Sequence, residues 1–142
     1  VEQNTCKKVR MARGYIEVRS PCPNQPDTTR QLTNAWLKER AHIKFAERLD
    51  ICLKQFPDSE AFKPTGMVIR NMTKRWGSMT PNNRLILNLE LIRAPVDAID
   101  YVITHELCHI KHNHHGPEFF KLLERTMPDW KRRKIKLEKT LA

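Results

Sequence analysis

The residues best equipped for chemistry lie in "VITHELCHIKHNHHGPEFF", residues 102 to 120, which holds five of the six histidines, at 105, 109, 112, 114 and 115. Within it, His105-Glu106-Leu107-Cys108-His109 is a His-Glu-x-x-His pattern, whose meaning depends on its being helical. Residues four apart on a helix stand one turn above each other, so His105 and His109 can turn ring nitrogens toward one ion about 2 Å away. Zinc is the metal this donor set suits, and it would bring a water toward neutral pKa. Glu106, beside the first ligand, is then the residue to take that water's proton and later deliver it to a leaving group. A buried helix carrying a few satisfied histidines is the plainer alternative. The helical placement and the apolar flank favour the metal.

Two histidines hold zinc loosely, so a third ligand must return to the site. On a straight helix His112 lies about 10 Å along the axis from His105, too far for a shared ion. His115 follows Asn113, which tolerates left-handed backbone, and precedes Gly116, so the chain can leave the helix there and fold back. The spacing, a third His six residues after the second, is that of the metzincin motif, although His112 stands where that motif has glycine. His115 is therefore the favoured third ligand, with His112, His114, Glu118 and Glu124 as alternatives. Cys108 points off the metal face and reads as a buried apolar residue. His42 stands alone on another helix.

The elements that must hold this cluster are legible on both sides. Pro95 suits a helix start and Asp97 and Asp100 its positive end, so the motif helix runs from there through Ile99, Val102, Ile103 and Leu107 toward His112. After Gly116 and Pro117, "EFFKLLERTM" resumes helical periodicity as far as Pro128, and a basic helix over about 129 to 140 ends the chain. Upstream, "GMVIRNM" (66 to 72) and "RLILNLEL" (84 to 91) read as two neighbouring antiparallel strands, with "TPNN" (80 to 83) as turn chemistry. Leu85, Leu87 and Leu89 alternate with Ile86, Asn88 and Glu90, predicting one buried face and one open one. Farther upstream, apolar residues at Leu32, Trp36, Ile43, Ala46, Leu49, Leu53 and Phe56 predict a long amphipathic helix from Arg30, opened by a Thr28/Gln31 capping box and ended by Pro57. Residues 1–27 read as an N-terminal arm: a short strand, "YIEVRS" (15 to 20), then "PCPNQPD", whose prolines oppose regular structure. Residues 28–142 form the domain proper.

A chain of 142 residues suits one domain with a real core, and 39% hydrophobic with 30% charged residues suits an ordinary soluble protein. No apolar run is long enough to span a bilayer, so no membrane partner is expected. "VEQNTCKKVR" has neither an initiator Met nor the apolar core of a signal peptide, as a processed piece would look, and a cytoplasmic protein is expected. The four cysteines, at 6, 22, 52 and 108, form no Cys-x-x-Cys pair and are expected to be free thiols. The formal charge of +10 is enough to draw polyanions. Part of it is "KRRKIK" at 131 to 136, for which a solvated terminal helix is the plainer reading and weak nucleic-acid binding the alternative.

These stretches together carry a resemblance. "RWGS" (75 to 78), "LILNLELI" (85 to 92), "IDYVITHELCH" (99 to 109), "HGPEFF" (115 to 120) and "MPDWK" (127 to 131) occur in the order of the YgjP-like metallopeptidase family, which is related to the SprT-like zincins. The resemblance covers roughly residues 60 to 138. It implies an α+β, zincin-like fold: a long N-terminal helix, a small antiparallel sheet, then the active-site helix and C-terminal helices. It implies zinc held by His105, His109 and His115, and it places "RWGS" and the following strand over the site, where an extended peptide could pair with a sheet edge. The family usually has Ser where Gly116 stands, Trp where Phe120 stands, and a longer strand-rich arm than this one.

The expected function is zinc-dependent hydrolysis of an amide bond in a peptide or protein, with Glu106 activating the zinc-bound water. One alternative keeps the metal but takes nucleotides as phosphate-ester substrates. The other is a SprT-like protease module that works on nucleic-acid-associated partners.

Overall fold

A computed structural model describes residues 8–12, 15–19 and 26–141, with side chains over residues 34–139. Cys6, Cys22, the proline-rich segment up to residue 25 and the Thr28/Gln31 side chains therefore lie outside the described residues. The chain divides into two compact units, residues 1–40 and 41–142.

In the first unit, β1 (Lys8–Ala12) and β2 (Tyr15–Arg19) form an antiparallel hairpin, with Lys8 opposite Arg19 and Ala12 opposite Tyr15. The second of these is the expected strand; the first was not anticipated. Helix α1 (Pro26–Leu53) begins here with proline at its first position, where the missing N–H costs nothing, and continues into the second unit.

In the second unit α1 ends near Leu53, and Ala41, Phe45, Cys52 and Phe56 are buried while Ile43 is 54% exposed. The buried stripe is therefore rotated from the one that counting apolar residues predicts. The reason is Arg48, which lies on the inward face. Its Nε and Nη2 donate to Asp100 Oδ1 and Oδ2 at 2.8 and 2.6 Å, a two-pronged pair between α1 and the motif helix.

Three strands follow: β3 (Gly66–Arg70), β4 (Gly77–Met79) and β5 (Arg84–Asn88), in the order β3-β5-β4. The sheet is mixed rather than purely antiparallel. β3 runs parallel to β5, with Val68 opposite Ile86, and the antiparallel partner of β5 is β4, with Ser78 opposite Ile86. The expected antiparallel pairing of the first and last strands fails because residues 71–76 carry the chain back across the end of the sheet before β4 begins. The "TPNN" turn thus closes β4 onto β5, and Asn83 takes the left-handed conformation (φ 63) that such a turn asks of it.

Leu85, Leu87 and Leu89 are buried as expected. Asn88, expected on the open face, is also buried at 4% exposure. Its Nδ2 donates to the carbonyls of Met72 and Arg75, both at 2.9 Å, and its Oδ1 accepts from the Glu90 N–H at 3.1 Å. Its own N–H donates to the Trp76 carbonyl at 3.0 Å. An asparagine so placed satisfies a loop backbone that would otherwise be buried without partners.

Helix α2 (Val96–Cys108) is the centre of this unit, buried at Ala98 to Thr104 and again at Glu106 to Cys108. It packs on α3 (Pro117–Thr126), on α4 (Trp130–Leu141) and on the β4–β5 hairpin. α3 turns Phe119, Leu122 and Leu123 inward, and Pro117 sits in its first turn. The architecture is α+β, as the resemblance implies.

Candidate metal centre

The last turn of α2 delivers His105 and Glu106, and His109 is the C-cap, with φ −68 and ψ −16. The helix ends sooner than expected, since it does not reach His112. The final turn tightens, with the His109 N–H donating to Glu106 O and the Ile110 N–H to Leu107 O, both at 3.1 Å. The chain then returns to the site with no left-handed residue at Asn113 or Gly116: Asn83 alone among the described non-glycine residues has positive φ, and Gly116 has φ −91. The early exit from the helix, rather than unusual backbone, brings residue 115 back.

His105, His109 and His115 each present a donor nitrogen within 4.8 Å of the others, a grouping able to hold a metal ion. The Nε2 atoms of His109 and His115 are 3.0 Å apart. Two imidazole nitrogens on one tetrahedral zinc stand roughly 3.3 Å apart, so a small inward or outward adjustment suffices. The buried ring of Phe119 underlies all three, with centroids 5.0, 4.6 and 4.9 Å from those of His105, His109 and His115. This phenylalanine, four residues after His115, has a positional role that its sequence position alone does not reveal.

His112 turns out to serve through its backbone. Its carbonyl lies 3.0 Å from His109 Nδ1, and a proton held there leaves the His109 Nε2 lone pair facing the cluster. Its own ring borders a different groove, beside Phe62 and Lys121. The remaining alternatives for the third ligand also lie elsewhere in function: Glu118 pairs with Lys121 at 3.6 Å, and Glu124 accepts from Trp130 Nε1 at 3.4 Å. His114 and His42 are exposed and outside the trio.

Loss of solvent around its ring, reinforced by neighbouring His105 and His109, holds His115 below the ordinary imidazole pKa, which keeps its lone pair available near neutrality. Glu106 is 8% exposed, and its carboxylate stands at the edge of the trio, Oε2 lying 3.1 Å from His105 Nδ1. These groups open onto a cavity of about 780 Å³, whose far wall is the Trp76–Thr80 stretch containing β4. Gly77 makes that approach possible. A Cβ there would stand 3.0 Å from Val102 Cγ1, 3.1 Å from Glu106 Cγ and 3.3 Å from the Ile86 carbonyl.

Tyr101, one turn before His105, lines the same cavity; its ring meets the edge of His105 and stacks on Trp130. Burial, then the Glu106 and Glu138 charges, push its phenol up to about 12, so it remains an O–H donor at neutral pH. Trp76 borders the cavity and is half-buried. Cys108 is fully buried as expected, and burial, then the Glu106 charge, push its thiol up to about 12.

The basic C-terminal helix is largely committed to the fold. Arg132 pairs with Asp129 and Asp97, Arg133 with Asp129 and Asp100, and Lys136 with Asp97. These contacts take up half the cations of "KRRKIKLEK". Among the described residues no helix is long and apolar enough to cross a membrane.

A helix-borne His-Glu-x-x-His, a third histidine returning to it and a carboxylate beside the trio together define the metal-dependent hydrolase class of site. The chain belongs to the YgjP-like family, whose metallopeptidase-domain model matches residues 1–140. The match takes in the N-terminal part that the resemblance had left outside. No curated protein matches this sequence.

Proposed function

We propose that this protein is a zinc-dependent peptidase whose metal is held by His105, His109 and His115 and whose general base is Glu106. The observation that carries the reading is the convergence of three imidazoles on a buried phenylalanine with Glu106 at their edge. Three nitrogen donors with room for a fourth group are the donor set of catalytic rather than structural zinc. Bound there, zinc would supply Lewis acidity toward a carbonyl oxygen and toward water.

The chain's own residues do the rest. Glu106, held against Gly77 and Val102, accepts a proton from the attacking water and passes it to the departing amine nitrogen. Glu106 is the one carboxylate among the described residues that line the cavity. β4 is an edge strand, and its unpaired side offers main-chain donors and acceptors to an extended peptide lying across the trio. The buried thiols of Cys52 and Cys108 are unpaired, which fits the cytoplasm as its place of work.

The test is cleavage of casein and internally quenched peptides by zinc-loaded protein and by Glu106→Gln, with zinc content measured on both. The expected result is cleavage by the wild type and a loss of about 10² to 10⁴ in the variant at unchanged zinc content. Undiminished cleavage by Glu106→Gln would remove the proposed base. A phosphate-ester substrate is the second reading, favoured by Lys74 and Arg75 at the cavity. Hydrolysis of nucleotides without cleavage of any peptide would establish it in place of the first.

A further inference from the structure

The 72–76 loop deserves its buried asparagine only if its shape matters. Asn88 fixes the Met72, Arg75 and Trp76 carbonyls, and so fixes the backbone that displays Lys74 and Arg75 on the cavity rim. Neither cation has a carboxylate partner among the described residues, whereas Arg48, Arg93, Arg132 and Arg133 all do. The one carboxylate among the residues lining the cavity is Glu106, which is committed to the reaction centre. The rim is therefore positive and short of counter-charge among the described residues.

We propose that Lys74 and Arg75 form a specificity subsite that selects peptides carrying an acidic side chain near the bond to be cut. This deepens the peptidase reading and rests on it. Gly77 is level with Glu106, and Lys74 and Arg75 precede it across a bend at Trp76, just before β4 begins. The favoured acid then lies on the side of the scissile bond that meets the start of β4. Exposed ion pairs of this kind change affinity by up to about fivefold, and salt screens them.

The experiment measures binding, so that it does not depend on turnover. Peptides bearing Glu, Gln or Lys at each successive position, labelled with a neutral dye, are titrated by fluorescence anisotropy into zinc-loaded Glu106→Gln protein. The comparison protein also carries Lys74→Ser and Arg75→Ser, both exposed positions, with its zinc content and circular dichroism checked. The expected result is a roughly fivefold preference for Glu over Gln, confined to one end of the peptide, erased by the double substitution and by 0.5 M salt. Equal affinities, a preference that survives the double substitution, or no binding of any peptide would overturn the proposal. Cleavage of the same peptides by wild type is read in parallel. Binding with the expected preference but no cleavage would overturn the peptidase reading and leave the cationic subsite standing. Displacement of the peptide by a nucleoside triphosphate that is itself hydrolysed would reassign the subsite to phosphate.

Discussion

At the scale of single residues, Gly77 shows how narrowly the site is built. The space for even one methyl is bounded by Val102 Cγ1 at 3.0 Å and Glu106 Cγ at 3.1 Å, one a wall of the helix and the other the proposed base. Gly77→Ala must therefore push β4 from α2 or displace the carboxylate. Overpacking of this kind costs typically 1–3 kcal/mol, so the variant is expected to fold with a lowered Tm, to keep its metal and to lose at least about tenfold in turnover. Wild-type turnover with an unchanged Tm would show that the strand and helix have slack that the distances deny. The trio was legible because residue types and spacing carry the chemistry: His105 and His109 by the one-turn rule, His115 by the spacing of a returning third histidine. What stayed hidden was support without chemical signature. Phe119 under the trio, and the His112 carbonyl that fixes the His109 ring, are visible only once the chain is folded.

At the scale of elements, the sequence misleads where a polar residue faces inward. Arg48 sits on the buried stripe of α1, and this is why counting apolar residues rotated that helix by part of a turn. Its guanidinium, raised in pKa chiefly by the hydrogen bond it donates to Asp100, joins α1 to the helix that carries His105 and Glu106. Both side chains are largely buried, at 18 and 11% exposure. Arg48→Met would leave the Asp100 carboxylate with only Arg133, 4.0 Å away, and is expected to cost about 3 kcal/mol in urea unfolding. Adding Asp100→Leu is expected to restore much of that loss, since the pair's net contribution is far smaller than the cost of breaking it. A single Arg48→Met variant as stable as wild type would mean that the pair carries little of the α1–α2 contact. The sheet misleads in a related way. Strand propensity found β3 and β5, but three-residue β4 has too little pattern to be seen, and without it their parallel pairing cannot be inferred. Asn88 read as an open-face residue because alternation alone cannot tell an exposed amide from one buried to clamp a loop.

At the scale of the whole molecule, the +10 charge has two fates. On α4 half of the cations pair with Asp97, Asp100 and Asp129. At the cavity, Lys74 and Arg75 have no carboxylate partner among the described residues. Family membership over residues 1–140 and the folded trio agree on a metal-dependent hydrolase, and the proposal of zinc depends on those three imidazoles acting as one site. The most direct test is zinc content by elemental analysis of wild type, His105→Ala, His109→Ala, His115→Ala and His112→Ala, each dialysed against the same zinc buffer. The account predicts about one zinc per chain in wild type and in His112→Ala, whose carbonyl survives the substitution, and a large loss in the other three. Zinc retained at full stoichiometry by His115→Ala, or absent from wild type, would contradict it.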